Sequence, residues 1–286
     1  MNFTYERDLV SDLFHQKYIV PKVQRDRRSR MGRNLLLGYP FHQIRQQIIK
    51  NGRIDFDAGY QGQHGALTPD DLVALYNYIY LSRHHAECMS TYDRFDTTTS
   101  ELFRSNFPTW VVDLGCGSGT AGLAIADHFS GQMLHYLGID QSFAMRRNAR
   151  SLLIEARTCG LLNANCHITT AASTHVIGSA LKRPRQPLNV LFVASYLFAS
   201  QSLDVLDLAR SVRLTADSDT VQNCVLVYLN SATRHANQKY EQFVGCFQGC
   251  RRIGIHSATV RYRRYAGRTT AEAKFVNDCL ILKGAR

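Results

Sequence analysis

Apolar runs and amphipathic stretches alternate along the chain from Trp110 onward. Such alternation is typical of an α/β domain, in which a largely parallel sheet carries helices on both faces. The predicted strands cover residues 110–114, 135–140, 166–170, 189–195, 224–230, 254–262 and 275–282. The predicted helices cover residues 120–129, 142–159, 202–214 and 238–247.

The first 109 residues contain no glycine-rich cofactor loop and are predicted to be mainly helical. Residues 68–71 (TPDD) form a favourable helix start, with a threonine cap, a proline and acids in the first turn. A helix is predicted over 69–92, with one apolar face typical of core packing: Leu72, Leu75, Tyr76 and Ile79. Residues 51–65 are turn-rich and predicted to form a loop. We therefore divide the chain into a helical extension, 1–109, and an α/β domain, 110–286.

The most informative motif lies in residues 111–129, which read VVDLGCGSGTAGLAIADHF. An apolar run ends in Asp113 and is followed by three alternating glycines: Gly115, Gly117 and Gly119. Glycine allows a tight turn and close approach, and the helix start that follows offers free N–H groups, so the segment suits a nucleotide-like ligand. A second apolar run, 135–140, ends in Asp140, which can accept both hydroxyls of a ribose.

In these residues the chain resembles the class I S-adenosylmethionine-dependent methyltransferases. Their first motif is an acid followed by G-x-G-x-G, and a second acid closes the next strand. The resemblance implies a seven-stranded Rossmann-like sheet, whose last strand is antiparallel between its neighbours, and S-adenosyl-L-methionine as cofactor. Asp113 would lie near the methionine ammonium group. The residues that the resemblance assigns to cofactor binding are Asp113, Gly115, Cys116, Gly117, Gly119, Asp140, Gln141 and Ser195.

A dinucleotide-binding pattern competes with this interpretation. Gly117, Gly119 and Gly122 also spell G-x-G-x-x-G. That pattern leaves the acid before the glycine triplet unexplained, and it does not account for two final strands separated by a short turn without a full helix. The sequence therefore favours the methyltransferase interpretation. A Rossmann-like domain that keeps the turn without its ligand is the other alternative.

The segment around the end of the predicted fourth strand, 191–200, reads LFVASYLFAS. It lacks the N/D-P-P-Y/F loop with which many amino-methyltransferases of this family hold an exocyclic nitrogen. The resemblance therefore argues against adenine-N6, cytosine-N4 and glutamine methylation of the usual kind. Ser195 and Tyr196 are the polar residues best placed to contact substrate. Cys224 begins the fifth strand, away from the catalytic edge, and is discounted as a nucleophile.

A polar loop is predicted after the fifth strand, at 228–237. Arg234 and His235 are candidates for substrate contact there, and His235 completes the predicted catalytic set as a candidate base, because imidazole titrates near neutrality. After the third strand, residues 171–174 (AAST) lack the acid or amide that many relatives use for the adenine amino group. Adenine recognition is therefore left to backbone or hydroxyl groups.

The net charge of the chain predicts the kind of partner that it binds. The chain carries 34 Lys and Arg against 23 Asp and Glu, a formal charge of +11. Residues 110–286 contribute +9 of this and residues 1–109 contribute +2. The excess predicts a polyanionic partner, with RNA or DNA before an acidic protein or a membrane, and ordinary surface solubility is the alternative. One candidate cluster runs from Lys22 to Arg33 and holds six basic residues and one acid.

The second candidate cluster, residues 251–268, holds six arginines and no acids. Tyr262 and Tyr265 lie between the arginines, and this composition suits phosphate contact and base stacking. Strand alternation predicts Arg261 and Arg263 on the face opposite to Tyr262. The candidate RNA-contacting arginines are Arg251, Arg252, Arg261, Arg263 and Arg264.

Cysteine usage and the N-terminus predict the cellular setting. Eight cysteines are scattered without zinc-binding spacing, so reduced, mostly buried thiols and no metal site are expected. The N-terminus lacks a basic-then-apolar signal, and no apolar run is long enough to span a bilayer. A cytoplasmic protein without a membrane partner is expected, and the sequence leaves its oligomeric state undetermined.

A narrower resemblance concerns residues 75–95 (LYNYIYLSRHHAECMSTYDRF) and 195–198 (SYLF). They resemble methyltransferase-like proteins associated with the mitochondrial small ribosomal subunit, which also place an aromatic helix before the cofactor motif. The predicted function is an S-adenosylmethionine-dependent methyltransferase acting on RNA, either rRNA or tRNA. Methylation of a small molecule or a protein is the second hypothesis. A catalytically silent RNA- or ribosome-binding module is the third.

Overall fold

A large mixed sheet forms the centre of the protein. The computed structural model describes residues 9–181, 186–264 and 269–284. The seven principal strands, numbered in chain order, are β1 Thr109–Leu114, β2 Leu134–Ile139, β3 Ile168–Ala171, β4 Leu188–Ser195, β5 Val221–Ser231, β6 His256–Arg264 and β7 Thr269–Lys283. A two-residue strand, Arg251–Arg252, pairs with β7 on the same side as β6.

The strand order is β3-β2-β1-β4-β5-β7-β6. Strands β1 to β5 are parallel, and β7 runs antiparallel between β5 and β6. Every residue of β1 is buried, because helices cover both faces of the central strands. The predicted sheet, with its reversed last strand, is therefore confirmed. The largest difference from the predicted strand bounds is at β7, which begins at Thr269 instead of residue 275.

Helices pack on both faces of the sheet, as predicted. One face carries Pro69–Arg94 (the long helix), Thr120–His128 and Phe143–Thr158. The other face carries Ile177–Leu181, Val205–Ala216 and Arg234–Gly245. Within the described ranges, no helix combines the length and the apolar character needed to cross a membrane.

The long helix begins as its sequence predicts. Thr68 Oγ1 accepts a hydrogen bond from the Asp71 N–H, and Asp71 Oδ2 accepts one from the Thr68 N–H, which is a complete capping box. The helix ends at Arg94, two residues beyond its predicted end. It packs against Thr120–His128 and β6, so the N-terminal extension shares a hydrophobic core with the sheet.

The rest of the extension consists of short elements. Residues 51–65 are not simply a loop, because Tyr60–Gly62 pairs with Gly65–Leu67 in an antiparallel ribbon. The loop prediction is wrong there, since two glycines flank the connecting turn and allow the chain to fold back on itself. The remaining elements are Leu9–Phe14, His15–Ile19, Val20–Val23, Met31–Arg33, Leu35–Leu36 paired with Tyr39–Pro40, Phe41–Gln43, Ile44–Ile48, Lys50–Gly52 and Asp96–Arg104.

Candidate functional site

The glycine-rich loop connects β1 to the helix Thr120–His128. The backbone φ is 50° at Gly117 and 92° at Gly119, in the left-handed region that side chains rarely adopt. Gly119 is also closely packed, because a Cβ added there would lie 2.7 Å from the Cα of Ala149. A Cβ added at Gly117 would meet only the Gly115 carbonyl oxygen, at 4.0 Å. The loop is therefore fixed against the protein at Gly119 and open at Gly117.

Asp140 follows β2 and holds this loop in place. Its Oδ2 accepts a hydrogen bond from the Gly117 N–H, and its Oδ1 accepts one from the Ser142 N–H, both at 2.9 Å. Burial raises the pKa of Asp140, although these two hydrogen bonds and the charge of Arg146 lower it. Gln141 is exposed, and its carbonyl oxygen accepts a hydrogen bond from Arg146 Nη1 at 2.8 Å. Asp140 thus joins the glycine loop to the start of the next helix.

A second carboxylate reaches this place from the N-terminal extension. Asp57 accepts hydrogen bonds from Ser142 Oγ at 3.0 Å and from the N–H groups of Phe143 and Ala144 at 2.8 Å. It caps a helix N-terminus, where unpaired N–H groups favour an anion. Burial raises the pKa of Asp57, but these hydrogen bonds hold it below its ordinary value. Sequence reasoning missed Asp57, because its partners lie more than 80 residues further along the chain.

Asp113 lies within β1 and is completely buried. Its Oδ2 accepts a hydrogen bond from the Tyr136 hydroxyl at 2.7 Å. The other oxygen, Oδ1, has no hydrogen-bond partner among the described residues. Burial raises the pKa of Asp113 to about 7; the Tyr136 hydrogen bond opposes this shift and the charge of Asp140 adds to it. The Asp113 carboxyl group is therefore enclosed in the protein interior beside Tyr136.

The end of β4 carries a polar network that joins it to the long helix. Tyr196 follows β4 in a left-handed conformation, with φ of 61°. Its hydroxyl donates to Glu87 Oε2 at 2.9 Å and accepts from Arg83 Nη2 at 3.2 Å. Arg83 Nε donates to Glu87 Oε1 at 2.9 Å. We call these three residues the Arg83–Glu87–Tyr196 network.

An aromatic column lies beside this network. Its members are Tyr76, Tyr80, His84 and Tyr196, with consecutive ring centroids 5.0, 5.3 and 4.4 Å apart. Burial, together with the smaller effect of the Arg83 charge, lowers the pKa of His84 to about 3, so the imidazole in the column is neutral. At the other end, the Tyr76 ring packs on Phe56, with 5.6 Å between the ring centroids. The next residue, Asp57, accepts a hydrogen bond from Ser142, as Asp140 does. The column therefore extends from Tyr196 toward Asp140.

Sequence reasoning identified Tyr196 but missed the rest of the network and most of the column. Tyr76, Tyr80 and His84 recur every four residues, which was the available signal for one shared helix face. Tyr76 was assigned to core packing; in the structure it does pack against the core, although it is only partly buried. The pairing of Glu87 with Tyr196 spans 109 residues, so no local pattern could reveal it.

The remaining predicted catalytic residues have different surroundings. Ser195 is half-buried, and its Oγ lies 4.0 Å from Cys88 Sγ. Arg234 and His235 are exposed in the first turn of the helix Arg234–Gly245, which begins four residues earlier than predicted. The predicted polar loop, 228–237, is therefore wrong at both ends: β5 extends to Ser231 and the helix begins at Arg234, so the connection is only two residues long. Among the described residues, no hydrogen bond or ring contact joins His235 to the network at the end of β4.

Several arginines of the second candidate cluster, residues 251–268, form ion pairs within the protein. We call this set the arginine cluster. Arg252 contacts Glu241 and Asp278, and Arg261 contacts Glu272. Arg263 is also paired: its Nη1 lies 3.4 Å from Asp12 Oδ2. Much of the positive charge of this cluster is therefore neutralised within the protein.

The tyrosines of that cluster do not support the predicted base-stacking role. Tyr262 is buried, whereas Arg261 and Arg263 are exposed on the opposite face, as strand alternation predicts. The prediction that Tyr262 is available for stacking is therefore wrong, because its side chain belongs to the hydrophobic core. Tyr265 and Arg268 lie outside the described residues.

The cluster from Lys22 to Arg33 differs from the arginine cluster. Arg28 is bound within the protein, to Asp26 and to Asp71 in the first turn of the long helix. The other basic residues of the cluster are exposed: Lys22, Arg25, Arg27, Arg30 and Arg33. They form what we call the basic turn, and the contact of Arg28 with Asp71 fixes it beside the start of the long helix.

Comparisons with known proteins identify the fold. No protein-family model matches the chain, and no curated protein matches its sequence. A solved structure of the CurJ carbon methyltransferase is similar over 96% of this chain and 70% of its own, with 12% sequence identity and a TM-score of 0.50. A precorrin-6y C5,15-methyltransferase from Geobacter metallireducens covers 81% of this chain and 96% of its own, with 12% identity and a TM-score of 0.43. With the strand order, the first similarity shows that this chain has the class I methyltransferase fold.

Proposed function

We propose that this protein is an S-adenosylmethionine-dependent methyltransferase. One observation carries the proposal: the open glycine, Gly117, and Asp140 are hydrogen-bonded to each other at the carboxyl edge of β1 and β2. In open α/β sheets, ligands bind at this edge, next to the point where the strand order reverses. In this sheet the order reverses between β1 and β4.

The residues present fit this cofactor. Each oxygen of Asp140 already accepts one hydrogen bond and retains a second lone pair for a ribose hydroxyl. Asp113 is completely buried and bound to Tyr136, so the described residues give it no direct contact with the cofactor. A Cβ at Gly115 would lie 2.9 Å from the end of the Leu197 side chain, so a flexible side chain covers that part of the loop.

When bound, S-adenosylmethionine would supply an electrophilic methyl group on a positively charged sulfur. Reactions of this kind depend mainly on alignment, which can contribute roughly 7–11 kcal/mol. Asp140 and the glycine loop orient the nucleoside part, and the long helix covers the site from the side of β4. The Arg83–Glu87–Tyr196 network lies on that side.

We further propose RNA as the substrate class. Support comes from the basic turn, whose exposed cations lie beside the start of the long helix. The long helix leads from this turn to Tyr196, so one element connects a phosphate-binding surface with the end of β4. The ion pairs of Arg252, Arg261 and Arg263 make the arginine cluster the weaker candidate.

Calorimetric titration with S-adenosylhomocysteine tests the proposed function. We expect micromolar binding by the wild-type protein. Asp140→Ala removes a charged acceptor and should weaken binding about 10- to 100-fold, since hydrogen bonds to charged groups contribute roughly 1.5–3 kcal/mol. Asp219→Ala is the matched control, because Asp219 is exposed just before β5, at the opposite edge of the sheet.

The outcomes separate the hypotheses. Binding that depends on Asp140 supports the enzyme and justifies a search for methyl transfer to RNA. If neither calorimetry nor thermal shift detects binding, the proposed activity is wrong, and the silent RNA-binding module becomes the better explanation. Equal loss of affinity in Asp140→Ala and Asp219→Ala would indicate a general effect on folding instead of a ribose contact.

A further inference from the structure

We propose that the Arg83–Glu87–Tyr196 network and the aromatic column beside it bind the methyl acceptor, and that this acceptor is a nucleobase. The proposal rests on the proposed methyltransferase function and adds the site and chemical class of the accepting group. Tyr196 follows β4 directly.

The burial of the network separates two roles. The Glu87 side chain is completely buried, whereas the Arg83 side chain is 21% exposed and Tyr196 is also partly exposed. Arg83 and Tyr196 can therefore contact a bound molecule. Glu87 acts through them: it receives a hydrogen bond from each and fixes the guanidinium and the hydroxyl relative to each other. Glu87 is a positioning residue.

The backbone at Tyr196 supports a functional role. A bulky residue with positive φ is unfavourable, and such residues persist only where the surroundings hold them. Here the stacking on His84 and the two hydrogen bonds of the hydroxyl hold Tyr196 in place. A glycine would satisfy the same turn without strain, so the strain points to a requirement for this side chain at the end of β4.

The network lies where the methyl acceptor of the proposed reaction would bind. Leu197, next to Tyr196, lies against Gly115 of the glycine loop. The aromatic column runs from Tyr196 to Tyr76, which packs on Phe56. Asp57, the next residue, and Asp140, the proposed ribose-binding residue, both accept hydrogen bonds from Ser142. If Asp140 and the glycine loop hold the cofactor, the network would therefore lie near the end of the cofactor that is farthest from the ribose.

The chemistry of the network indicates the class of acceptor. The column presents the partly exposed rings of Tyr76 and Tyr196 for stacking, and the network adds a guanidinium and a phenol hydroxyl for hydrogen bonds along an edge. Burial and the charge of Glu87 raise the pKa of Tyr196, so the hydroxyl stays protonated and can act as donor or acceptor. Unstacked nucleobases are held by stacking on aromatic side chains and by hydrogen bonds to their edges. An aliphatic amine would use only the polar part of this surface.

Saturation-transfer NMR with the four nucleoside 5′-monophosphates tests the proposal, in the presence of saturating S-adenosylhomocysteine. We expect saturation of the base protons of at least one nucleotide with the wild-type protein. Tyr196→Phe removes only the hydroxyl and Glu87→Gln only the charge, and each should weaken nucleotide binding about five- to tenfold. Calorimetry should show S-adenosylhomocysteine affinity unchanged within about twofold. Glu101→Gln, at an exposed position outside the site, is the matched control and should bind like the wild type.

The two readouts separate the failure of this proposal from the failure of the proposed function. If S-adenosylhomocysteine does not bind to the wild-type protein, the methyltransferase function is wrong and the acceptor site falls with it. If it binds but no nucleotide does, or if both variants bind nucleotides like the control, only the acceptor proposal is overturned. If Glu87→Gln does not fold, Tyr196→Phe decides the question, because its hydrophobic ring is retained.

Discussion

At the scale of single residues, Asp113 is a carboxyl group whose ionisation opposes folding. Its pKa in the unfolded chain is about 3.8, and burial raises it to about 7 in the folded protein. Between these two values the folded protein holds a proton that the unfolded chain releases. The free energy of unfolding linked to Asp113 is therefore highest below about pH 4, falls as the pH rises to 7, and stays low above it.

Asp113→Asn should remove this dependence on pH. Asparagine cannot ionise, and its carbonyl oxygen can still accept the hydrogen bond from Tyr136. The melting temperature of the variant minus that of the wild type should rise by at least about 3 °C between pH 5 and pH 8. Thermal unfolding at both pH values measures the difference, with Asp219→Asn as the exposed control. A difference that is the same at both pH values would show that Asp113 ionises freely in the folded protein.

At the scale of elements, the glycine loop is the joint between β1, β2 and two helices. Asp140 connects it to the residue before the helix Phe143–Thr158, and Gly119 packs directly on Ala149 of that helix. Asp57 of the extension caps the same helix. A change in the packing of one of these elements should therefore alter the whole joint.

Gly119→Ala tests how tightly this joint is packed. A side chain in the left-handed conformation costs about 1–2 kcal/mol, and the approach to Ala149 should add about 1–3 kcal/mol of overpacking. Gly131→Ala is the control, because Gly131 also has positive φ, at 79°, but a Cβ there would meet nothing within 4 Å. Chemical denaturation of the two variants gives both free energies of unfolding. If the two losses are equal, backbone strain explains Gly119 and close packing does not.

At the scale of the whole molecule, positive charge is distributed differently in the structure than in the sequence. The α/β region carries most of the net charge, yet at least four of its arginines are paired with acids, including Asp12 and Asp70 of the extension. The extension is nearly balanced overall, but the basic turn concentrates its exposed cations. The regional charge count alone therefore does not identify the surface that a polyanion would contact.

RNA binding should depend on the basic turn more than on the arginine cluster. Charge reversal of Lys22, Arg25 and Arg27 should lower the slope of log affinity against log salt by about 2, at about 0.7 per lost phosphate contact on a single strand. Charge reversal of Arg261, Arg263 and Arg264 in the arginine cluster should lower the slope less, because Arg261 and Arg263 are already ion-paired within the protein. Filter binding of a single-stranded RNA from 50 to 300 mM salt, as an order-of-magnitude range, measures both slopes. The opposite ranking would assign RNA contact to β6.

Local patterns were sufficient for the class of fold and for part of the site. Strand alternation, the glycine triplet with positive φ and the capping box before the long helix all depend on residues within a few positions of one another. Parallel strands bring their carboxyl ends to one edge, so the proximity of Asp140 to the glycine loop followed from the predicted topology.

Long-range packing was needed for the remaining residues of the site. Glu87 meets Tyr196 across 109 positions, and Asp57 meets the helix after β2 across more than 80. Tyr262 has the composition of a stacking residue, yet β6 turns it into the core. Whether a charge is exposed, paired or buried depends on what packs against it, and those neighbours come from distant parts of the chain. For this reason the sequence identified the loop that would hold a cofactor, whereas only the tertiary structure revealed the Arg83–Glu87–Tyr196 network and the aromatic column beside it.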